Sequence, residues 1–262
     1  MVSFPRSGNT LLRAYLEKIM GLTSGSDCDI TKKLNKDLMM MGLAGEGLVD
    51  KRVMIVKTHY PERYGKTKFY AERAILLVRN PVDSITSLFN MVCTGSHNRS
   101  IHDEDYFKFS SLWSEFIQQD ITVWNDFHEF WTNAKIPVHI IRYEDIVQDP
   151  KPTLKSLLEF ILNVDDLKGT AVEHYLNLAI SETSPQIYKP RLGKAHANFD
   201  KFGKMQLDFI TEQSYKFLKM FNYYDLFLEK GSSKIEDLSG TEWDPHFISN
   251  FNKASLKKSI HL

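Results

Sequence analysis

Short apolar runs alternate along the chain with longer segments of mixed apolar and polar residues. The runs Val53–Val56 and Ala74–Val78 are apolar throughout, and Pro137–Ile141 is apolar except at His139. Such runs are typical of strands buried on both faces. Val2–Phe4 resembles the end of a further strand. Because longer segments with helical patterns separate these runs, the sequence predicts an α/β fold with a central parallel sheet covered by helices on both faces.

Helices are predicted where apolar residues recur every three or four positions. In Leu11–Met20 the apolar residues form one face, and Gly21 marks its end. The same pattern predicts helices over residues 82–91, 106–131 (one long helix or two joined ones), 152–162 and 206–221. Residues 22–50 are rich in Gly, Ser and Asp, which predicts loops around a short helix.

The pattern changes at about Gly231, where a polar segment with scattered aromatic residues begins and continues to Leu262. This favours one large domain over residues 1–230, followed by an extended arm over residues 231–262 that packs on the domain or on a protein partner. No run of about 18 apolar residues and no signal peptide is present. We therefore expect a cytoplasmic protein without a membrane span.

The charges of the 262 residues balance, with 33 Lys and Arg against 33 Asp and Glu. This excludes a protein that coats nucleic acid, because phosphate neutralisation needs a surplus of cations, but it allows a local basic pocket for one small anion. The two cysteines, Cys28 and Cys93, cannot build a disulfide framework or a zinc site. They form either one disulfide or two free thiols.

The first polar motif, Phe4–Thr10, lies between a strand end and a helix start. Unpaired amides at a helix N-terminus suit a phosphate, and Gly8 lets the backbone approach it. Side-chain donors and a fixed charge come from Arg6, Ser7, Asn9 and Thr10. The motif is not a Walker A loop. The alternative is an ordinary helix cap formed by Ser7 or Asn9.

A second motif repeats this arrangement over residues 77–87. Arg79 leaves a buried strand at the carboxyl end of the sheet, where ligands bind in open α/β folds. Pro81 and Asp83 favour a helix start, and Ser87 is a second candidate anion donor. The alternative is a structural ion pair between Arg79 and Asp83.

A third motif, Lys57-Thr58-His59, follows the predicted strand Val53–Val56 and so reaches the same edge of the sheet. A histidine can accept a proton near neutral pH, and a lysine can stabilise developing negative charge. The alternative is that His59 is an ordinary surface residue.

The ordered motifs FPRSGNT, VKTHYP, LVRNPVDSITS and IIRYEDIVQDP together resemble the sulfotransferases that use 3′-phosphoadenosine 5′-phosphosulfate (PAPS), from about Val2 to Tyr224. The resemblance implies a P-loop NTPase-like three-layer fold and transfer of a sulfonate group to a hydroxyl or amine. It is closest to divergent sulfotransferase-domain proteins, including those linked to carbohydrate acceptors. It implies a small-molecule or carbohydrate acceptor and no required metal.

By position, the resemblance assigns His59 as general base, with Lys57 and Arg6 as the other catalytic residues. It implies a 5′-phosphosulfate loop at Arg6, Ser7, Gly8, Asn9 and Thr10, 3′-phosphate contacts at Arg79 and Ser87, and an adenine contact at Tyr143. The family's late loop, which closes over the 3′-phosphate, falls on Arg191, Gly193 and Lys194.

Several departures from the family pattern favour an alternative, a catalytically degenerate subunit with a structural or assembly role. The usual Lys of the first loop is Arg6, the usual aromatic residue that stacks on adenine is Leu11, and the late loop lacks its Lys and Trp. The chain also begins almost inside the first strand. The presence of His59 and Lys57 favours an enzyme. A small-molecule kinase is disfavoured, because the Walker A lysine is absent.

The acceptor itself is not specified by the sequence. We expect its pocket to be built by loops 22–50, 94–110 and 181–200. Aromatic residues either line this pocket or belong to the core and surface; they are Tyr60, Tyr64, Phe69, Tyr70, Tyr106, Phe107 and Phe109.

Overall fold

Helices cover both faces of a parallel sheet in the computed structural model, which describes residues 1–181, 196 and 198–234. The strands are β1 (Gly25–Ser26), β2 (Val56–Lys57), β3 (Ala74–Val78) and β4 (Val138–Arg142). The helices are α1 (Asn9–Met20), α2 (Lys33–Met40), α3 (Pro81–Thr94), α4 (Asp103–Lys108), α5 (Ser110–Thr132), α6 (Tyr143–Gln148), α7 (Pro150–Leu162), α8 (Ala171–Ser181), α9 (Lys204–Met220) and α10 (Tyr224–Glu229). A 3₁₀ turn covers Phe199–Lys201.

Val2 joins the two strand pairs into one sheet. β1 pairs with β2, and β3 pairs with β4, both in parallel. Val2 forms parallel bridges to Thr58, just after β2, and to Leu76 in β3. The N-terminal segment therefore lies between β2 and β3, as the apolar run Val2–Phe4 predicts.

The side chains of β3 divide the core between the two faces of the sheet. Leu76 and Val78 pack with α3, α5 and α9 on one face. Ile75 and Leu77 pack with α1, α7 and α8 on the other. Since both sets are buried, the uniformly apolar sequence of β3 follows from its central place, and the predicted fold class is confirmed.

The predicted strand Val53–Val56 is wrong in its bounds. The chain turns at Val53, whose amide donates to the carbonyl of Asp50, and the ladder begins only at Val56. Met54 and Ile55 are apolar because they pack against the core, so their composition imitates a strand. Lys57 consequently lies in β2 rather than after it.

The predicted helix 106–131 is two joined helices, α4 and α5, and the other predicted helices differ from α1, α3, α7 and α9 by a few residues at their ends. The pattern did not predict β1, which has two polar or small residues, or the short helices α6 and α10. It also missed α8.

Both cysteines are free thiols. Within the described residues, no helix is long and apolar enough to cross a membrane. Residues 235–262, which hold most of the predicted arm, lie outside the described residues. The boundary at residue 230 therefore stays a prediction.

Candidate functional site

Four segments meet at one edge of the sheet because the parallel strands all end there. They are the loop after Val2, the segment after β2, the residue after β3 and the start of α6. Contacts join them: His59 to Ser3, Arg79 to Arg6, and Tyr143 to Gly8. These contacts bring together Arg6, Gly8, His59, Arg79 and Tyr143 of the predicted site.

The loop before α1 has an unusual backbone. Arg6 and Gly8 adopt positive φ angles of 68° and 102°, and Gly8 is the N-cap residue of α1 without a side-chain cap. Ser7 donates instead to the carbonyl of Phe4 at 2.8 Å, and Asn9 donates to Oγ of Ser3 at 2.7 Å. The alternative of an ordinary cap by Ser7 or Asn9 is therefore wrong. The first turn, which includes the half-buried Thr10, directs its amides toward the loop.

Tyr143 packs directly on Gly8. A Cβ atom built on Gly8 would lie 2.3 Å from Cδ2 of Tyr143, so only glycine fits beneath the ring. The guanidinium of Arg79 lies 4.5 Å from the centre of the same ring, within the range of a cation–π interaction. The residues that the resemblance assigns to adenine and the 3′-phosphate thus pack against the loop before α1.

Arg79 links two half-sites, defined here as the loop Phe4–Thr10 and residues 77–87. Its Nη1 donates to the carbonyl of Arg6 at 2.8 Å, whereas its buried Nε has no hydrogen-bond partner among the described residues. Within the described residues, Arg79 and Asp83 form no ion pair. The alternative, a structural pairing of these two residues, is therefore not observed. A buried donor without a partner is costly, and an anionic oxygen would satisfy it.

The side chain of Arg6 turns toward α3. Its Nε donates to Oγ of Ser87 at 3.1 Å, and its two Nη atoms donate to Nδ1 and the carbonyl of His97, at 2.8 and 3.0 Å. Arg6 is thus adjacent to the hydroxyl that the resemblance assigns to the 3′-phosphate. The sequence analysis did not single out His97.

His59 is held in one orientation by the backbone. Its Nδ1 lies 2.8 Å from the carbonyl oxygen of Ser3. A carbonyl can only accept, so Nδ1 carries the proton and Nε2 of the neutral ring keeps its lone pair. Burial, followed by the charges of Lys57 and Arg63, holds the pKa of His59 well below its ordinary value. The ring is therefore neutral at neutral pH and can accept a proton at Nε2.

Lys57 feels the charges of a largely buried polar cluster, defined here as Arg13, Ser24, Ser26, Cys28 and Glu46. Arg13 forms an enclosed ion pair with Glu46, and Glu46 also accepts hydrogen bonds from Ser26 and Cys28 at 2.7 and 2.8 Å. Burial lowers the pKa of Lys57, partly offset by the charge of Glu46. No periodic pattern in the sequence indicates this cluster, because its members come from α1, β1 and three separate loops.

Asp27 organises the segment around Lys57 and His59. Its carboxylate accepts from Oγ1 of Thr58 at 2.5 Å, and its amide donates to the carbonyl of Lys57 at 3.2 Å. Its own carbonyl accepts from the amide of Lys66 at 2.7 Å. Asp27 therefore links β1 to the segments on both sides of His59. Because it lies in a loop, no periodic pattern in the sequence indicates this role.

The start of α3 is fixed from the C-terminal part of the chain. Asn80 caps the helix by accepting from the amide of Val82 at 2.9 Å. Asp83 accepts from the amide of His196 at 3.3 Å and from Nδ2 of Asn198 at 2.7 Å. The late segment thus returns to the second half-site. The predicted late-loop residues Arg191, Gly193 and Lys194 lie outside the described residues.

The remaining candidates divide between core and surface. Leu11, at the family's adenine-stacking position, is buried in the core. Among the aromatic candidates, Tyr106 is buried, whereas Tyr64, Tyr70, Phe107 and Phe109 are exposed. Tyr60 is half-buried near His59, and its carbonyl accepts from Nε1 of Trp131 at 2.7 Å.

Comparisons with known proteins agree on one family. The model of the sulfotransferase domain matches residues 1–167. A WSCD family member from Aedes aegypti is 32% identical over 169 residues, which are 62% of this chain and 49% of that protein. A WSCD family member from Drosophila melanogaster is 30% identical over 164 residues, again 62% of this chain and 49% of that protein. The chain thus spans about half the length of the curated relatives it matches.

A solved structure supports the same fold. The crystal structure of mouse sulfotransferase SULT7A1, complexed with PAP, matches with a TM-score of 0.52 and 18% identity, over 87% of this chain and 86% of that one. At 18% sequence identity, this similarity shows a shared fold alone.

Proposed function

The chain belongs to the sulfotransferase domain family, and on that premise we propose that it transfers a sulfonate group from PAPS to a hydroxyl or amine of a small-molecule or carbohydrate acceptor. The observation that carries the proposal is the orientation of His59, with Nδ1 bonded to the Ser3 carbonyl and Nε2 left as a base. A neutral imidazole fixed in this way beside an anion-binding loop is suited to general base catalysis.

The described residues fit PAPS on grounds independent of the family. The buried Nε of Arg79 lacks a partner in the described chain, and the α1 N-terminus has no side-chain cap. Both favour an anion with oxygens at two places. The amides of Gly8, Asn9 and Thr10 would hold the 5′-phosphosulfate, and Arg79 and Ser87 would hold the 3′-phosphate. The side chain of Arg6, which donates to Ser87, would join the 3′-phosphate contacts rather than the 5′-phosphosulfate loop that the resemblance implies. Tyr143 would contact the adenine edge.

PAPS when bound supplies an activated sulfonate group whose leaving group is a phosphate. The chain's own contribution is to hold and move protons and to offset charge. His59 accepts the proton of the acceptor hydroxyl or amine at Nε2, and Lys57 offsets negative charge on the leaving oxygen. A positioned general base typically contributes about 10²- to 10⁴-fold to the rate.

The test begins with thermal unfolding of the full chain with 3′-phosphoadenosine 5′-phosphate (PAP), using AMP and ATP as matched controls. Ligand at about 100 times Kd adds roughly 2.7 kcal/mol to the free energy of unfolding, which raises the Tm of a domain of this size by several degrees. A rise specific to the 3′-phosphorylated nucleotide is expected. No rise with any nucleotide would overturn the proposal and favour the degenerate subunit.

A shift would be followed by transfer of labelled sulfate from PAPS to a panel of acceptors that contains sugars, phenols and amines. Transfer that is lost in His59→Asn supports the enzyme. Nucleotide binding without transfer to any of the acceptors would favour the assembly role instead.

A further inference from the structure

His97 connects three segments of the site. Its Nδ1 accepts from Nη1 of Arg6 at 2.8 Å, and its carbonyl accepts from Nη2 of the same guanidinium at 3.0 Å. Its Nε2 lies 3.1 Å from the carbonyl of Leu34 in α2. The half-buried ring therefore bridges the phosphate loop and the helix that follows β1.

These contacts determine which nitrogen of His97 carries the proton. A guanidinium has donors only and keeps its charge at any relevant pH, so Nδ1 must accept with its lone pair. A carbonyl has acceptors only, so Nε2 must carry the proton that it donates to Leu34. The neutral ring satisfies both contacts, whereas a protonated ring would direct N–H at N–H.

We propose that His97 is a positioning residue for Arg6, holding its guanidinium beside Ser87 so that it meets the nucleotide's phosphate already ordered. The inference rests on the proposed function. An arginine that is fixed before binding loses less side-chain entropy when the ligand arrives. A planar guanidinium also has to be held in a defined orientation to donate to a phosphate oxygen.

The proposal implies that acid weakens nucleotide binding through His97. Protonation of Nδ1 removes the acceptor for Arg6 and places a second positive charge beside it. The charged groups that face the ring are Arg6 from the loop, Lys57 from β2 and Asp37 from α2. Burial and the charge of Arg6 lower the pKa of His97. The loss should therefore begin below pH 6.5.

The experiment measures the affinity for PAP by calorimetry between pH 5 and 8 in wild type, His97→Asn and His97→Ala. Asn can present an acceptor near the position of Nδ1 but cannot titrate. His102→Asn is the matched control, because His102 is an exposed histidine in the same connection between α3 and α4. Protonation of the ligand's own phosphates affects all four proteins alike.

We expect His97→Ala to bind PAP about tenfold more weakly at pH 7.5, the effect of losing one charge-assisted hydrogen bond. His97→Asn should recover most of the affinity and lose the acid dependence that wild type and His102→Asn share. Wild-type affinity and an unchanged pH profile in both His97 variants would overturn the inference while leaving the proposed function intact. No PAP binding by wild type would overturn both.

A second readout does not need the nucleotide. In a ¹⁵N-labelled protein, the imidazole nitrogen shifts of His97 should report a proton on Nε2 and a bare Nδ1 at pH 7.5. A proton on Nδ1 would overturn the inference even if PAP binds.

Discussion

The backbone carbonyl of Arg6 accepts a hydrogen bond of 2.8 Å from Nη1 of Arg79, a residue 73 positions later in the chain. This bond joins the loop before α1 to the end of β3. Because the guanidinium of Arg79 also lies against Tyr143, the two half-sites of the proposed nucleotide site form one packed unit rather than two separate anion sites. A substitution in one half-site should therefore also weaken the ligand contacts of the other.

Replacement of Arg79 should weaken nucleotide binding directly. Arg79→Ala removes a charged donor, its contact with Tyr143 and its bond to Arg6, which together correspond to about 2–3 kcal/mol, or roughly 30- to 150-fold in Kd for PAP. Calorimetry measures this. Arg73→Ala is a matched control, since Arg73 also donates to a carbonyl and lies over an aromatic ring, that of Phe160. Unchanged affinity in Arg79→Ala would remove Arg79 from the site.

Replacement of His59 should separate chemistry from binding. In His59→Asn the side-chain amide can still donate to the Ser3 carbonyl, but no base remains at the position of Nε2. We expect sulfonate transfer to fall by about 10²-fold or more, with PAP affinity changed little. His174→Asn, at an exposed residue of α8, serves as control. Transfer at the wild-type rate in His59→Asn would exclude this residue as the base.

The acid limb of the pH–rate profile should lie at an unusually low pH. A histidine acts as a base only when neutral, and burial together with Lys57 and Arg63 lowers the pKa of His59 well below 6.5. The base-competent form is therefore retained as the pH falls, and is lost only below the shifted pKa. We expect kcat at saturating substrate to stay level from pH 8 down to pH 6.5. A decline centred at or above pH 6.5 would contradict this.

Gly8 should tolerate no side chain. Gly8→Ala places a methyl group 2.3 Å from Cδ2 of Tyr143 at a φ of 102°, so either the ring or the loop must move. Overpacking and backbone strain together should cost about 2–4 kcal/mol of unfolding free energy, with loss of PAP binding. Gly21→Ala is the control, because Gly21 has a positive φ of 65° but nothing within 4 Å of its added methyl. Denaturant unfolding compares the two, and equal destabilisation would contradict the steric argument.

The buried polar cluster should make stability dependent on Glu46. Glu46→Ala leaves Arg13 charged and enclosed, which typically costs about 3–5 kcal/mol. Asp50→Ala is the control, because Asp50 and Arg52 form an exposed ion pair, and its loss should change the midpoint little. Equal midpoints for both variants in urea would show that the enclosed pair does not stabilise the fold.

The pH dependence of that contribution has a definite sign. Burial raises the pKa of Glu46, but the charge of Arg13 and the hydrogen bonds from Cys28, Arg13 and Ser26 hold it below its ordinary value. A carboxyl whose folded pKa is depressed stabilises the fold above its unfolded pKa and stops doing so as the pH falls through the folded value. We expect the stability gap between wild type and Glu46→Ala to narrow below about pH 4.5.

Sequence patterns predicted the elements whose periodicity is imposed by burial. β3 is apolar at every position because both of its faces are covered, and α1, α3 and α9 show the apolar face that packs on the sheet. The same reasoning gave a wrong strand start at Val53–Ile55. These residues lie in a turn, but their apolar side chains contact the core, so their sequence resembles that of a strand. β1 was missed since Gly25 and Ser26 carry no hydrophobic signal.

The candidate site could be predicted where its residues follow strands directly. Arg6, His59, Arg79 and Tyr143 each do so, and ordered motifs mark them. Other residues of the site come from loops, where the contacts of a side chain depend on how distant segments fold. They are Asp27, His97, and the two partners of Asp83, which are His196 and Asn198. Nothing in the local sequence indicates that His97 lies against Arg6, 91 positions earlier.

Lys57 and Arg79 form no ion pair with a carboxylate in the portion of the chain that the structure describes, although the whole chain has a formal net charge of zero. Because Arg6 lies at the same edge of the sheet, we expect a local positive potential there on a chain with no formal net charge. For a ligand with several negative charges, this potential accelerates diffusional encounter. The bimolecular association rate should fall steeply as ionic strength rises, while the lifetime of the bound complex changes much less.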